Sequence, residues 1–253
     1  MIVTRDFVLI NLPKTGTTFV RTVLKEYFKN NLFKNYKFKE LLLPRKQRIL
    51  GQSQLISDKD QHGIVSQIPL KYKNRRKVSI TRDPLTRVNS FYSFGWWKKE
   101  PPIDVNLIKE EFENFPNLTI DEYLFIYKNY IKRSLLPERY WELNIGPQTI
   151  QYIIFYSKNP LEYFEYLLVN NKKPNLKNPQ YFDDILFLRM ENLNNDLFDL
   201  LIGLGYSKKK LERLLDRKPI NVSNSDEVEL TEDQKKVIRE LERPIYDLHN
   251  FYS

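Results

Sequence analysis

Leu12-Pro13-Lys14-Thr15-Gly16-Thr17-Thr18 gathers an ammonium, a glycine and three hydroxyls into one short stretch. It follows the apolar run Phe7-Val8-Leu9-Ile10 and precedes a helical pattern with Phe19, Val20, Val23, Leu24 and Tyr27 apolar. Strand, tight turn, hydroxyl-rich helix start is the layout of a phosphate-binding loop. The helix N-terminus offers unpaired N–H groups and a positive dipole end, and Lys14 adds a full charge. The loop is not that of the nucleoside triphosphatases, in which a glycine stands well upstream of a Gly-Lys-Ser/Thr end. Here the lysine precedes the glycine, and no glycine lies upstream.

A second group follows at Arg82-Asp83-Pro84-Leu85-Thr86-Arg87-Val88-Asn89-Ser90-Phe91-Tyr92. Arg82 closes a strand-like run, and Ser90 falls two turns into the next helix. A guanidinium and a hydroxyl so spaced can share one phosphate, by charge and by hydrogen bonds. Two phosphate sites suit a ligand with two separated anionic groups. Arg87 reads more simply as an ion-pair or surface residue.

Three strand-like segments, 7–11, 77–81 and 184–188, each run into a loop or helix fit for a ligand. Helical patterns over 85–97 and 193–204 follow the second and third. Short apolar strands alternating with amphipathic helices predict an α/β fold: one domain over 1–253 with a P-loop-like central parallel sheet of four or five strands, flanked by helices. Ligands in such sheets bind beyond the carboxyl ends of the strands, where Lys14, Arg82 and Arg189 fall. The stretch 98–180 is less regular, with a helix predicted over 119–133, and reads as an elaboration that could bind an acceptor. Thr231-Glu232-Asp233-Gln234 fits a capping box opening a helix to about residue 248, interrupted at Pro244.

The 253 residues are 41% hydrophobic and 29% charged, enough to bury a sizeable core. There is no alanine, so larger side chains must fill that core. The absence of cysteine excludes disulfides and thiolate metal sites, and only His62 and His249 are present, which argues against a zinc enzyme. A net charge of +9 favours an anionic ligand. No segment reaches about eighteen uncharged apolar residues, so no membrane span is expected and the plain reading is a soluble, cytoplasmic protein.

The pair Pro-Lys-Thr-Gly-Thr-Thr and Arg-Asp-Pro-x-x-Arg-x-x-Ser-x-Tyr resembles the sulfotransferases that use 3′-phosphoadenosine 5′-phosphosulfate (PAPS). It is most like the carbohydrate group that includes the heparan 2-O-sulfotransferases. Weaker echoes lie in 186–196 with Arg189, Glu191 and Leu193, in 218–223, and in the Tyr/Asp/Phe-containing end from Pro244. The resemblance implies that Lys14, Thr15, Gly16, Thr17 and Thr18 hold the phosphosulfate, and that Arg82 and Ser90 hold the 3′-phosphate. It implies transfer of a sulfuryl group to a hydroxyl, a carbohydrate hydroxyl first, with no metal. Lys14 would neutralise charge on the leaving oxygen. The base would be His62 in Asp60-Gln61-His62-Gly63-Ile64-Val65, although the group's second histidine falls on Ile64. Asp58, Asp60 and Glu191 are the alternatives. Walls for the adenine are sought around 221–223 and in the Tyr/Phe-rich middle.

Two rivals share these features. A nucleotide kinase using ATP and Mg²⁺ would need a glycine upstream of the loop and a metal-holding Asp after a strand, for which only Asp83 offers. A nucleic-acid-binding module would use the +9 charge, though no nucleic-acid partner is expected. The basic stretch 71–77 reads as a solvated turn, Trp96 and Trp97 as core or sugar platform. Tyr123, Tyr127, Tyr130, Tyr140 and Trp141 read as core filling or cleft lining, and His249 near the C-terminus as incidental.

Overall fold

The computed structural model describes residues 1–4, 6–29, 39–40, 62–218 and 228–252. Five strands form one sheet: β1 (Ile2–Val3), β2 (Phe7–Leu9), β3 (Lys39–Glu40), β4 (Arg76–Thr81) and β5 (Ile185–Arg189), in the order β3-β1-β2-β4-β5. The helices are α1 (Thr17–Lys29), α2 (Pro84–Phe94), α3 (Val105–Glu111), α4 (Ile120–Ile126), α5 (Lys132–Leu135), α6 (Pro147–Tyr156) and α7 (Pro160–Val169). After β5 come α8 (Leu193–Gly203), α9 (Lys208–Leu211), α10 (Glu232–Leu241) and α11 (Arg243–Leu248). Described residues within Met1–Gln47, Leu55–Arg82 and Asp183–Val222 pack as one compact unit, and those within Asp83–Phe182 and Ser223–Ser253 as another.

The first unit holds the sheet. β2 pairs in parallel with β4, and β4 with β5, with Leu9 beside Val78 and Thr81 beside Arg189. The three strands expected from sequence thus form side by side. The expectation of a wholly parallel sheet needs correction, because β1 is antiparallel to both β2 and β3. The cause is the short link after β1. The Thr4 hydroxyl accepts from the Asp6 and Phe7 N–H groups and donates to the Phe7 carbonyl, closing a tight turn. A connection that short can only reverse the chain, whereas a parallel pairing needs a crossover. β2 is buried at every residue, as fits a central strand covered on both faces. Phe19, Val20, Val23 and Leu24 of α1 and Leu193, Leu197, Leu200 and Leu201 of α8 pack with it into one core.

The basic stretch before β4 is a largely exposed turn at the amino end of that strand. Its Lys77 pairs with Asp183 at 3.1 Å, and Arg75 donates to the Thr4 carbonyl. The third cation of the carboxyl ends, Arg189, is bound by Asp196: Nη2 lies 2.7 Å from Oδ1 and Nε 3.0 Å from Oδ2. It ties the end of β5 to the first turn of α8.

The second unit is built on aromatics, as a core without alanine requires. Trp97 lies 4.6 Å from Tyr123 and 5.6 Å from Tyr92, centroid to centroid. Trp97, Tyr123, Tyr127 and Tyr140 are buried and so fill the core, whereas Trp96, Tyr130 and Trp141 are half-buried. The helix expected over 119–133 forms, opened by the Thr119–Glu122 capping box, but contains a π-helical turn at Tyr127–Ile131. The predicted break near Pro244 separates α10 from α11, and the Thr231–Gln234 capping box opens α10. His249 is buried against Tyr152, Phe251 and Tyr252, and burial lowers its pKa to about 3. Among the described residues no helix is long and apolar enough to cross a membrane.

Candidate functional site

The loop after β2 is fixed by its neighbours before it is fixed by a ligand. Ile10 N–H donates to the Val78 carbonyl at 2.8 Å, and the Ser79 hydroxyl to the Ile10 carbonyl at 2.8 Å, extending the β2–β4 seam past the strand end. Thr15 Oγ1 donates to the Leu12 carbonyl at 2.9 Å, so this buried hydroxyl closes the loop. Lys14 and Gly16 both have left-handed backbones, with φ of 63° and 84°. Such kinks turn successive peptide N–H groups toward one side, the arrangement from which anion-binding concavities are built. For lysine the conformation costs roughly 1–3 kcal/mol, a strain typical of functional loops. At Gly16 a Cβ would also overlap Met190 Sδ, so only glycine fits. α1 starts at Thr17, its first turn directed at the loop.

Two cations meet here. Arg82, just beyond β4, has Nη1 3.5 Å from the Lys14 carbonyl oxygen, the outer limit of a hydrogen bond. Partial burial and the nearby Arg82 charge lower the Lys14 ammonium pKa. Both effects penalise its charged form, and a bound anion would offset both.

His62 reaches the chain just past β2 from a distant point in the sequence. Its Nδ1 lies 2.7 Å from the Asn11 carbonyl oxygen, two residues beyond β2. A carbonyl only accepts, so Nδ1 is the donor in this contact. Ile64, at the position of the resembled group's second histidine, is buried in the core. Asp58 and Asp60 lie outside the described residues, as do 219–227 with their Asn221–Ser223 segment.

A cleft of about 300 Å³ opens beside Gly16. Phe19, Met190, Leu193 and Leu215 supply its apolar lining. Around them stand Glu191, three asparagines and Arg217, which is bound to Glu26 at 2.8 Å. The asparagine Nδ2 groups are spent inward: Asn192 on Asp196, Asn195 on Asn192, Asn194 on the Leu215 and Arg217 carbonyls. Asn192 Oδ1 accepts from Asn195, so the acceptors on the rim are the Asn194 and Asn195 side-chain oxygens and Glu191. Sequence reasoning singled out Glu191 here but missed the cleft; Phe19, the first apolar residue after the loop, was its only local signal.

No family model, curated protein or solved structure matches this chain. The site thus stands on its own geometry.

Of the residues expected to act together, Lys14, Thr15, Gly16, Thr17, Thr18, His62 and Arg82 belong to the first unit. Ser90 belongs to the second, half-buried in the second turn of α2. Asp83 is committed to α2: its Oδ1 accepts from the Leu85 and Thr86 N–H groups at 2.8 and 3.1 Å, a helix cap. Arg87 is neither a surface residue nor a phosphate contact. It is fully buried, with Nη1 3.2 Å from Gln148 Oε1 and Nη2 2.6 Å from Gln151 Oε1. Among the described residues no group of three His, Cys, Asp or Glu is placed to hold a metal ion.

Proposed function

We propose that this chain is a sulfotransferase on a P-loop-like scaffold. It would move a sulfuryl group from PAPS to an acceptor hydroxyl, a carbohydrate hydroxyl first by the motif resemblance. The observation that carries the reading is the convergence of Lys14 and Arg82, at the ends of adjacent parallel strands, on a glycine loop with left-handed kinks. Backbone N–H groups of 15–18 hold the 5′-phosphosulfate, and Arg82 takes the 3′-phosphate. The cleft beside Gly16 supports the same ligand: an apolar floor with acceptor oxygens at its rim suits a flat base bearing an amino group.

The reaction breaks the bond between sulfur and the bridging phosphate oxygen and forms one between sulfur and the acceptor oxygen. His62 Nε2 takes the acceptor's proton, and Lys14 Nζ meets the charge that grows on the departing phosphate oxygen. Adenosine 3′,5′-bisphosphate and the sulfated acceptor leave. The kinase alternative would need Asp83 to hold the metal, and its Oδ1 caps α2.

The test is thermal shift with three ligands: adenosine 3′,5′-bisphosphate alone, ATP with Mg²⁺, and a DNA oligonucleotide. Stabilisation by the bisphosphate without metal is the expected result, growing with ligand concentration. Stabilisation by ATP–Mg²⁺ or DNA alone would overturn the proposal.

A further inference from the structure

The proposed function uses cations at the carboxyl ends of the first unit's strands. The amino ends carry a second group that it does not use. Leu70-Lys71-Tyr72-Lys73-Asn74-Arg75-Arg76 leads into β4. A 3₁₀ turn at Leu70–Tyr72 follows Pro69 and leaves Leu70 83% exposed, the most exposed large apolar side chain among the described residues. Lys71, Lys73 and Arg76 are exposed in the same stretch. Tyr72 is half-buried and held by two cations, with Lys71 Nζ 4.9 Å and the Arg75 guanidinium carbon 4.6 Å from its ring centre. Arg75 donates to the Thr4 carbonyl, a neutral partner that fixes the guanidinium without cancelling its charge. Among the described residues, Lys77 alone in this stretch has a carboxylate partner, Asp183.

Further lysines fall at the same end of the sheet. α8 runs back from the carboxyl end of β5, and beyond it the Tyr206 hydroxyl donates to Asp6 at 3.0 Å. Asp6 directly precedes Phe7, which pairs with Arg76. Lys208 and Lys209, just past Tyr206, are exposed. Of the carboxylates in these segments, Asp6 accepts from Tyr206, Asp183 pairs with Lys77, and Asp184 and Glu212 are exposed, so the cations outnumber them.

Cations alone would suit any polyanion. Leu70 narrows the choice. An aliphatic side chain set among lysines gains nothing from the phosphates of a nucleic acid or the anionic groups of an acidic polysaccharide. A bilayer containing anionic lipid rewards both features at once. Its surface potential attracts the lysines, its acyl boundary takes the leucine, and tyrosine sits at headgroup level. We propose that this end of the sheet docks on an anionic lipid surface, with Leu70 entering it and Lys71, Lys73 and Arg76 facing the headgroups. From Arg76 to Arg82 the chain advances about 20 Å along β4. The docked unit therefore keeps the loop after β2 on the side away from the bilayer. The proposal is independent of the nucleotide reading and survives its failure.

Co-sedimentation of the whole chain with vesicles tests it, using phosphatidylcholine alone and an equimolar mixture with phosphatidylserine. The protein should bind the mixed vesicles and not the neutral ones, and should be released as salt rises. Leu70→Gln should weaken partition by about tenfold. Lys71→Gln with Lys73→Gln should weaken it by about fivefold for each charge removed. All three side chains are exposed, so thermal midpoints should stay unchanged. Lys208→Gln with Lys209→Gln repeats the charge test on a different element should the first pair disturb the fold. Absence of binding to the mixed vesicles would overturn the proposal. Binding that Leu70→Gln leaves intact would also overturn it, by showing adsorption through charge alone. A DNA oligonucleotide bound more tightly than the vesicles, and lost in the lysine variants but not in Leu70→Gln, would assign the surface to nucleic acid.

Discussion

The loop after β2 and the junction around Glu242 both concentrate charge, and they treat it in opposite ways. Glu242, between α10 and α11, caps the amino end of α6. Its carboxylate accepts from the Gln148 and Thr149 N–H groups and from the Thr149 and Tyr127 hydroxyls, and the charge is sealed from water. In the loop, Lys14 and Arg82 are brought together as like charges, half-buried, on a backbone that is itself strained. In the first, burial pushes the Glu242 carboxyl up and hydrogen bonds within the fold oppose that shift; in the second, burial and a like charge both act against the Lys14 ammonium. On the proposed function, the contrast is one between a structural charge and a binding charge. On that proposal it also orders the consequences of mutation: changes in the loop should act on turnover and binding, and changes at Glu242 on stability.

The largest expected effect is on the loop side. His62→Ala removes the acceptor for the substrate proton and should lower turnover by roughly 10²–10⁴-fold. Binding of adenosine 3′,5′-bisphosphate should hardly change, since His62 binds the chain through Asn11. Steady-state rates and nucleotide affinity, measured on one preparation, check this. Full retained turnover would remove His62 from the mechanism.

The junction offers the converse. Glu242→Ala should destabilise the protein by about 3 kcal/mol, because it strips the α6 cap and leaves the Tyr127 hydroxyl and two amides unpaired. Denaturant unfolding reads it directly. Lys14→Met should move the other way, leaving the midpoint unchanged or raised, because it removes the repulsion with Arg82 while abolishing bisphosphate binding. Equal destabilisation by both variants would erase the distinction between the two regions.

These differences follow what is local in the sequence and what is not. The β2 loop was legible because strand, glycine turn and helix start are contiguous, so residue order alone constrains their geometry. The cap of α10 and the break before α11 were legible for the same reason. The antiparallel β1 was missed because a two-residue strand leaves no periodicity to read. Arg87 was misplaced because its partners, Gln148 and Gln151, lie some sixty residues away, and nothing in a single sequence pairs them. The cleft was missed on similar grounds. Its floor joins Phe19 to Met190 and Leu215, residues that meet only once α8 packs beside α1.

The smallest effect lies between the two extremes, at Arg189 and Asp196, where a strand-end cation is satisfied yet partly open to water. Burial pushes the Asp196 carboxyl up, but hydrogen bonds from the Arg189 side chain and N–H and from Asn192, with the Arg189 charge, outweigh it and hold the carboxyl below its usual range. A carboxyl depressed in the fold stabilises above its unfolded value and loses that contribution as pH falls through its folded value. Asp196→Asn should therefore cost about 1 kcal/mol at neutral pH, a modest figure because water screens the exposed guanidinium. The gap to wild type should close on acidification, as the wild-type carboxyl takes up its proton. Thermal midpoints of the two proteins across an acid series measure the closing. A gap that stays constant would mean that Asp196 acts by shape alone, and would place it with the sealed charges of the junction rather than between the two kinds.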